Sequence, residues 1–141
     1  NEKVGEFFGK WLGAELNNLE NYANIDMVIP VPLHPKKLKK RGYNQVEKFG
    51  KEIANALQIN YTDDILIKVS ASLKSQATKK RLERWQLNNE LFDVNNIEQL
   101  NNKHILLVDD IITTGNTLES CCIQLQKAKN IKISIACMAI A

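Results

Sequence analysis

Asp109 and Asp110 stand side by side after four aliphatic residues, Ile105 to Val108, and ahead of Ile111, Ile112 and the run Thr113-Thr-Gly-Asn-Thr117. Paired carboxylates accept hydrogen bonds from hydroxyls or hold a divalent cation. The run behind them has the opposite preference. Its glycine lets the backbone curl, and its hydroxyls donate. Leu118, Cys121, Cys122 and Leu125 then recur at helical spacing. Asn116 reads as the N-cap of that helix, with Glu119 three residues on. A strand, a tight turn and a helix N-terminus form an anion site, because amide N–H groups and the positive end of the helix dipole converge there. Acids next to such a turn repel a bare phosphate. They suit a ligand that brings hydroxyl donors as well as an anion, and a ribose 5-phosphate has both.

Other readings of the acids are a turn or helix-capping pair and a nucleotidase-type metal pair. A P-loop is excluded, since no G-x-x-x-x-G-K-[ST] segment exists. Receiver domains cluster acids at strand ends but do not call for the threonine turn. The segment from Ile105 to Thr117 closely resembles the phosphoribosyl-diphosphate (PRPP) signature of type I phosphoribosyltransferases, and every position of that pattern is filled.

The elements that must position this segment follow from periodicity. Ile105 to Val108 reads as a strand buried on both faces, ending where the acids begin. Ile25 to Val31 reads as another, stopped by Pro30 and Pro32. A basic loop follows, in which five of the six residues from Lys36 to Arg41 carry positive charge. The next helix is expected from about Asn44 to Leu57, with Asn44 and Glu47 as a cap-like pair. Asp64 to Val69 is a third strand candidate, Leu91 to Val94 a short one, and Ile131 to Ile140 the last. Residues 70–89 are strongly polar, with Trp85 among the charges. Strand, loop and helix alternating in this way imply a parallel sheet with crossover helices. At the N-terminus, Val4, Phe7, Phe8, Trp11, Leu12, Leu16 and Leu19 mark an amphipathic helix whose aromatic stripe is expected in the core. Gly5, Gly9 and Gly13 recur every four residues in the same helix and suggest a close neighbour.

The 141 residues suit a single domain spanning 1–141, and a net charge of +3 is too mild to imply nucleic acid by itself. Cys121, Cys122 and Cys137 offer neither zinc-ribbon spacing nor a disulfide framework, which favours a reducing compartment. No apolar run approaches the ~18–20 residues of a membrane span. No leader opens the chain, which starts at Asn1 rather than Met, so an N-terminal piece is expected to be missing. The expected location is cytoplasmic.

A narrower resemblance covers nearly the whole chain. Ile29-Pro-Val-Pro-Leu-His-Pro, Lys40-Arg-Gly-Tyr-Asn-Gln45 and Ser75-Gln76 followed by Arg81, Glu83, Arg84, Trp85 and Phe92 are similar to the ComF family. Two departures are the absence of that family's N-terminal zinc ribbon and Leu87 where its lid carries an asparagine. The resemblance implies a Rossmann-like α/β type I phosphoribosyltransferase fold, with a mainly parallel sheet of about five strands, flanking helices and a small hood or flexible lid. It implies phosphoribosyl transfer from PRPP to an unidentified base or amine, in nucleotide metabolism or linked to competence. Asp109 and Asp110 would hold the ribose hydroxyls, and Thr113, Thr114, Gly115, Asn116 and Thr117 the 5-phosphate. Leu33, His34, Lys37 and Arg41 would meet a diphosphate whose Mg2+ is held mainly through PRPP. Gln76, Arg81 and Arg84 would close over the site, with Arg84 grouped with the two acids as catalytic. The alternative is a non-catalytic PRPP sensor that binds single-stranded DNA or a competence protein, using the basic runs with Tyr43 and Trp85.

Overall fold

A computed structural model describes residues 2–22, 24–33, 38–40, 42–69 and 92–141. Its elements are α1 (Glu2–Asn17), β1 (Met27–Pro30), α2 (Val46–Leu57), β2 (Asn60–Tyr61), β3 (Leu66–Lys68), β4 (Phe92–Val94), β5 (His104–Ile112), α3 (Asn116–Leu125) and β6 (Lys132–Ile140). The central sheet has four strands in the order β2-β1-β5-β6, all parallel. The α/β class read from the sequence is therefore the one found.

Side chains alternate across a strand, so each central strand feeds two cores. Val28, Leu106, Val108 and Ala136 pack with Phe49 and Ile53 of α2 on one face. Ile29, Ile105 and Leu107 pack with Leu118, Cys121 and Leu125 of α3 on the other. The β1–α2–β2 crossover runs to one side and β5–α3–β6 to the opposite side. Since crossovers of one hand leave in two directions from neighbouring strands, β1 and β5 flank a topological switch point.

Several sequence expectations change. The third strand candidate is not in the central sheet: β3 pairs antiparallel with β4 as a separate two-stranded sheet. The second parallel partner of β1 is instead the short β2, which has no hydrophobic run to announce it. Pro30 sits inside the ladder, opposite Val108. Thr62 N donates to Val28 O, and Val31 N donates to Val108 O. By the two-residue period, Pro30 therefore points toward β2, beyond the last β2 residue, where no N–H is required.

The aromatic stripe of α1 is not core. Phe7 is 67% exposed and Trp11 57%. Positions 4, 7 and 11 lie opposite positions 5, 9 and 13 at 100° per residue, so one helix cannot bury both sets. The glycines face inward. A Cβ on Gly9 would lie 2.6 Å from the Phe49 carbonyl oxygen, and one on Gly13 2.6 Å from Ala56 Cβ. The helices thus meet closer than side chains allow, and this backbone-to-backbone packing fixes the orientation of α1. Phe8 and Leu12, at the flank, pack against the α2 core.

His104 has a structural role. It is buried, with Nε2 2.8 Å from Ser134 Oγ, and its backbone N donates to Asp26 Oδ2 at 2.7 Å. This joins the first residue of β5 to β6 and to the approach of β1.

Gly9→Ala is expected to destabilise the fold by roughly 1–3 kcal/mol through overpacking, overriding a helix-propensity gain of about 1 kcal/mol. Gly5→Ala should do the reverse, because its Cβ would find ordinary contacts from 3.5 Å outward. Urea denaturation of both variants checks the opposite signs. Burial, then the charge of Lys132, holds the His104 pKa below its usual value, against the opposing pull of Asp26. The unfolded chain binds the proton more readily, so His104 contributes stability that is full above about pH 6.5 and is lost as pH falls from there through its lower folded pKa. His104→Gln should flatten this acid limb in urea midpoints measured from about pH 8 to pH 5.

Candidate functional site

The sequence placed the acids just past the end of their strand. In the structure β5 continues through them to Ile112, because β6 is long enough to keep pairing as far as Ile112↔Ile140. On its other edge β5 loses β1 after Val108. Residues 109–112 thus have one paired edge and one edge open over the end of β1. Asp109 is only 8% exposed, and its Oδ1 accepts the Asp110 N–H at 2.8 Å. Asp110 is half-buried, and its Oδ1 accepts the Ile111 N–H at 2.8 Å. Each carboxylate is therefore oriented by the amide that follows it.

The turn comes next. Gly115 has φ 81°, a conformation that glycine adopts without strain. It is also the N-cap of α3, so Asn116 is the first helical residue rather than the cap. The left-handed step at Gly115 is what starts the helix there. Thr114 Oγ1 accepts the Asn116 N–H at 3.4 Å, and Glu119 N donates to Gly115 O at 2.9 Å. Asp109 and residues 111–118 line a small hollow of about 30 Å³.

A cavity of about 240 Å³ opens beside this hollow at the switch point. The loop after β1 supplies Val31, Pro32 and Leu33, the start of α2 supplies Asn44, Gln45 and Val46, and β5 supplies Asp109, Asp110 and Ile111. Thr117 and Lys68 complete the lining. Asn44 joins two of these walls. Its Nδ2 donates to Val31 O at 3.3 Å, and its Oδ1 accepts the Val46 N–H at 3.2 Å. Helix α2 begins two residues later than expected, but Asn44 still satisfies its first amide. A second cavity of about 280 Å³ lies beyond Leu33 and shares Pro32, Leu33, Asn44 and Lys68 with the first. Tyr61, Asp63 and Glu47 line it. Burial, then the charges of Asp63 and Glu47, raises the Tyr61 pKa, so its hydroxyl stays protonated.

The structure brings Leu33, Asp109, Asp110 and Thr113 to Thr117 to one end of the sheet. His34, Lys37, Arg41, Gln76, Arg81, Arg84 and Trp85 lie outside the described residues. The sequence reading missed Asn44, Gln45 and Lys68 as cavity walls. Asn44 and Gln45 are visible in the Lys40–Gln45 run, but there Asn44 reads only as a cap. Lys68 carries no local signal. Cys137, opposite Asp109 in register, is no activated nucleophile: burial, then the Asp109 charge, raises its pKa. Among the described residues no group of three or more His, Cys, Asp and Glu could hold a metal ion. Nor is any described helix long and apolar enough to cross a membrane.

Comparison with known proteins agrees with this fold. Competence protein F of Haemophilus influenzae is 29% identical over 93 residues, which is 66% of this chain and 41% of that protein. DNA utilization protein YhgH of Escherichia coli O157:H7 is 27% identical over 94 residues, 66% of this chain and 40% of that protein. The matched part thus spans about two fifths of the length of these relatives. Among solved structures, glutamine PRPP amidotransferase from B. subtilis superposes with a TM-score of 0.63 at 20% identity, covering 97% of this chain and 26% of that one. Residues 47–140 match the phosphoribosyl transferase domain, from the start of α2 to the end of β6 and so including both acids and the turn. The chain therefore belongs to the phosphoribosyl transferase domain family, in a ComF-like form.

Proposed function

We propose that the switch-point cavity binds PRPP and that the chain transfers its phosphoribosyl group to a base or amine, releasing diphosphate. The observation that carries this reading is the adjacency of an oriented carboxylate pair and a helix-capping turn at one cavity. Asp109 and Asp110 accept hydrogen bonds from the vicinal ribose hydroxyls. The turn at Thr113 to Thr117 and the N-terminus of α3 hold the 5-phosphate. The C1–oxygen bond breaks with its electron pair leaving on the diphosphate. The acceptor nitrogen supplies the pair for the new bond and loses a proton. The nearby carboxylates favour the positive charge that develops on the ring meanwhile.

Magnesium would be held mainly through the diphosphate oxygens, where it supplies charge neutralisation for the leaving group. The donor set fits that arrangement, since the cavity offers two carboxylates rather than a dedicated cage. His34, Lys37 and Arg41 as further diphosphate ligands, and closure by Gln76, Arg81 and Arg84 with Arg84 acting in catalysis, are part of the same proposal. So is a cytoplasmic location, which three cysteines with no disulfide-framework spacing favour.

The names of the relatives favour a second reading, a PRPP-sensing module that binds single-stranded DNA or a partner in DNA uptake. The two differ in chemistry and can be separated. An enzyme releases diphosphate from PRPP when offered the right base or amine. A module binds single-stranded DNA with an affinity that falls steeply with salt and responds to PRPP. A screen of bases and amines for magnesium-dependent diphosphate release is expected to find an acceptor. No turnover, together with PRPP-dependent DNA binding, selects the module.

Asp109→Asn with Asp110→Asn should weaken PRPP binding roughly 100-fold or more, because two charge-assisted hydrogen bonds to the diol are lost. Isothermal calorimetry measures it, and unchanged affinity would contradict the pocket itself.

A further inference from the structure

We infer that β6 and the outward stripe of α1 form one interface, filled by a second copy of this chain about a two-fold axis. The inference does not depend on what the cavity binds. Strand β6 ends the sheet on one side, and its far edge pairs with no strand among the described residues. The opposite edge strand, β2, is two residues long, whereas β6 is nine. Lys132 N donates to Lys103 O, so by the two-residue period the N–H groups of Ile133 and Ile135 point outward. Exposed edges of this length are normally guarded by charge, proline or a bulge. Residues 133–141 carry no charge and no proline. Pairing with β5 keeps one offset from His104↔Lys132 to Ile112↔Ile140, so no bulge intervenes. The side chain of Ile135 is itself 46% exposed.

The stripe of α1 borders the same edge. Tyr61 of β2 lies against one flank of α2, with the Lys51 ammonium 5.7 Å from its ring centroid and Gly50 beside it. Helix α1 lies against the other flank, at Phe49, Glu52 and Ala56. The strand order β2-β1-β5-β6 then puts α1 over β5 and β6. Its Phe8 and Leu12 accordingly join the cluster that holds Leu106, Val108, Ala136 and Met138. Val4, Phe7 and Trp11 face away from α2 and therefore project past β6. Packed helices stand about 8–10 Å apart and paired strands about 4.8 Å, so one helix covers two strands. A second β6 paired antiparallel to the first thus brings the two copies of α1 to helix-packing distance on the same face. Antiparallel helices crossing at position 9 set Phe7 of one copy beside Trp11 of the other. The Glu6–Lys10 ion pair stays on the polar rim. The face is about 30 Å along the strand and about 25 Å across the α1, sheet and α3 layers, on the order of the ~800 Å² per partner that a stable interface buries. An occupant must offer a free strand edge and an apolar helix face at one spacing. This chain offers both, and neither carries a charge that would repel its own image.

The test is sedimentation equilibrium of the chain, joined to amide hydrogen exchange at low and high protein concentration. The wild type should form a dimer, and the Ile133 and Ile135 amides should exchange more slowly as concentration rises. Ile135→Lys guards the strand edge with a charge, and Trp11→Glu does the same for the helix face. Each should raise the dissociation constant roughly 30-fold or more, as suits the loss of one central anchor. Circular dichroism checks that both variants fold. Should one fail to fold, the concentration dependence of wild-type exchange decides alone. A wild type that stays monomeric overturns the inference, whether its β6 amides are shielded by the chain itself or left open for a different protein. So does a dimer that either folded variant leaves intact, since the contact then lies elsewhere.

Discussion

The site depends on the parting of two crossovers between neighbouring parallel strands. With α2 against one face and α3 against the other, neither helix covers the gap above β1 and β5. Strand β1 then ends at Pro30 while β5 continues to Ile112 along β6. The difference in length exposes one edge of the segment that carries both acids. Had β1 run as far as β5, its ladder would have closed that edge and left the carboxylates beneath backbone. Pro30 fits this design, because its missing N–H falls where β2 has already stopped. The aliphatic run from Ile105 to Val108 is fully buried and holds the open segment level with the turn.

Stiffness in the site comes from short-range bonding. Asp109 and Asp110 each give one oxygen to the next amide, so neither must wait for a ligand to choose a rotamer. Asn44 does the same for the opposite wall, tying the end of β1 to the first amide of α2. Helix α2 is steadied from behind by α1, whose glycines bring the two backbones together. The apolar side chains thereby turned outward, Phe7 and Trp11, are a consequence of that packing. A helix has one inward face, and close backbone packing occupies it.

What was legible in the sequence was what is local. Asp109 to Thr117 is one continuous stretch, so the strand end, tight turn and helix start it forms were readable without any knowledge of neighbours. The crossover helices were legible from period, and the strand–helix alternation was enough for the fold class. What failed was pairing. The exact end of β5 depends on β6, more than twenty residues downstream in the chain. Membership of β3 in a separate sheet depends on β4, across the segment 70–91. The inward face of α1 depends on how near α2 can come. Lys68 was invisible for the same reason: a lysine ending a short strand is ordinary until a second strand brings it to the cavity that the acids line.

The two halves of the site select against each other's simplest ligands. The proposed anion turn carries a carboxylate of its own, since Asp109 lines the same hollow and opposes a free phosphate there. A neutral sugar can satisfy the carboxylates, yet it leaves the turn without its charge. A divalent cation alone meets two carboxylates but also a helix terminus of like sign and the ammonium of Lys68. On the proposed reading, a molecule that carries a phosphate beside a diol satisfies the turn and the acids together. Because each mismatch buries an uncompensated polar or charged group, discrimination rises faster than the affinity of any one contact would suggest. On that reading the site would recognise the order of groups along the ligand, an order set by where β1 stops and β5 does not.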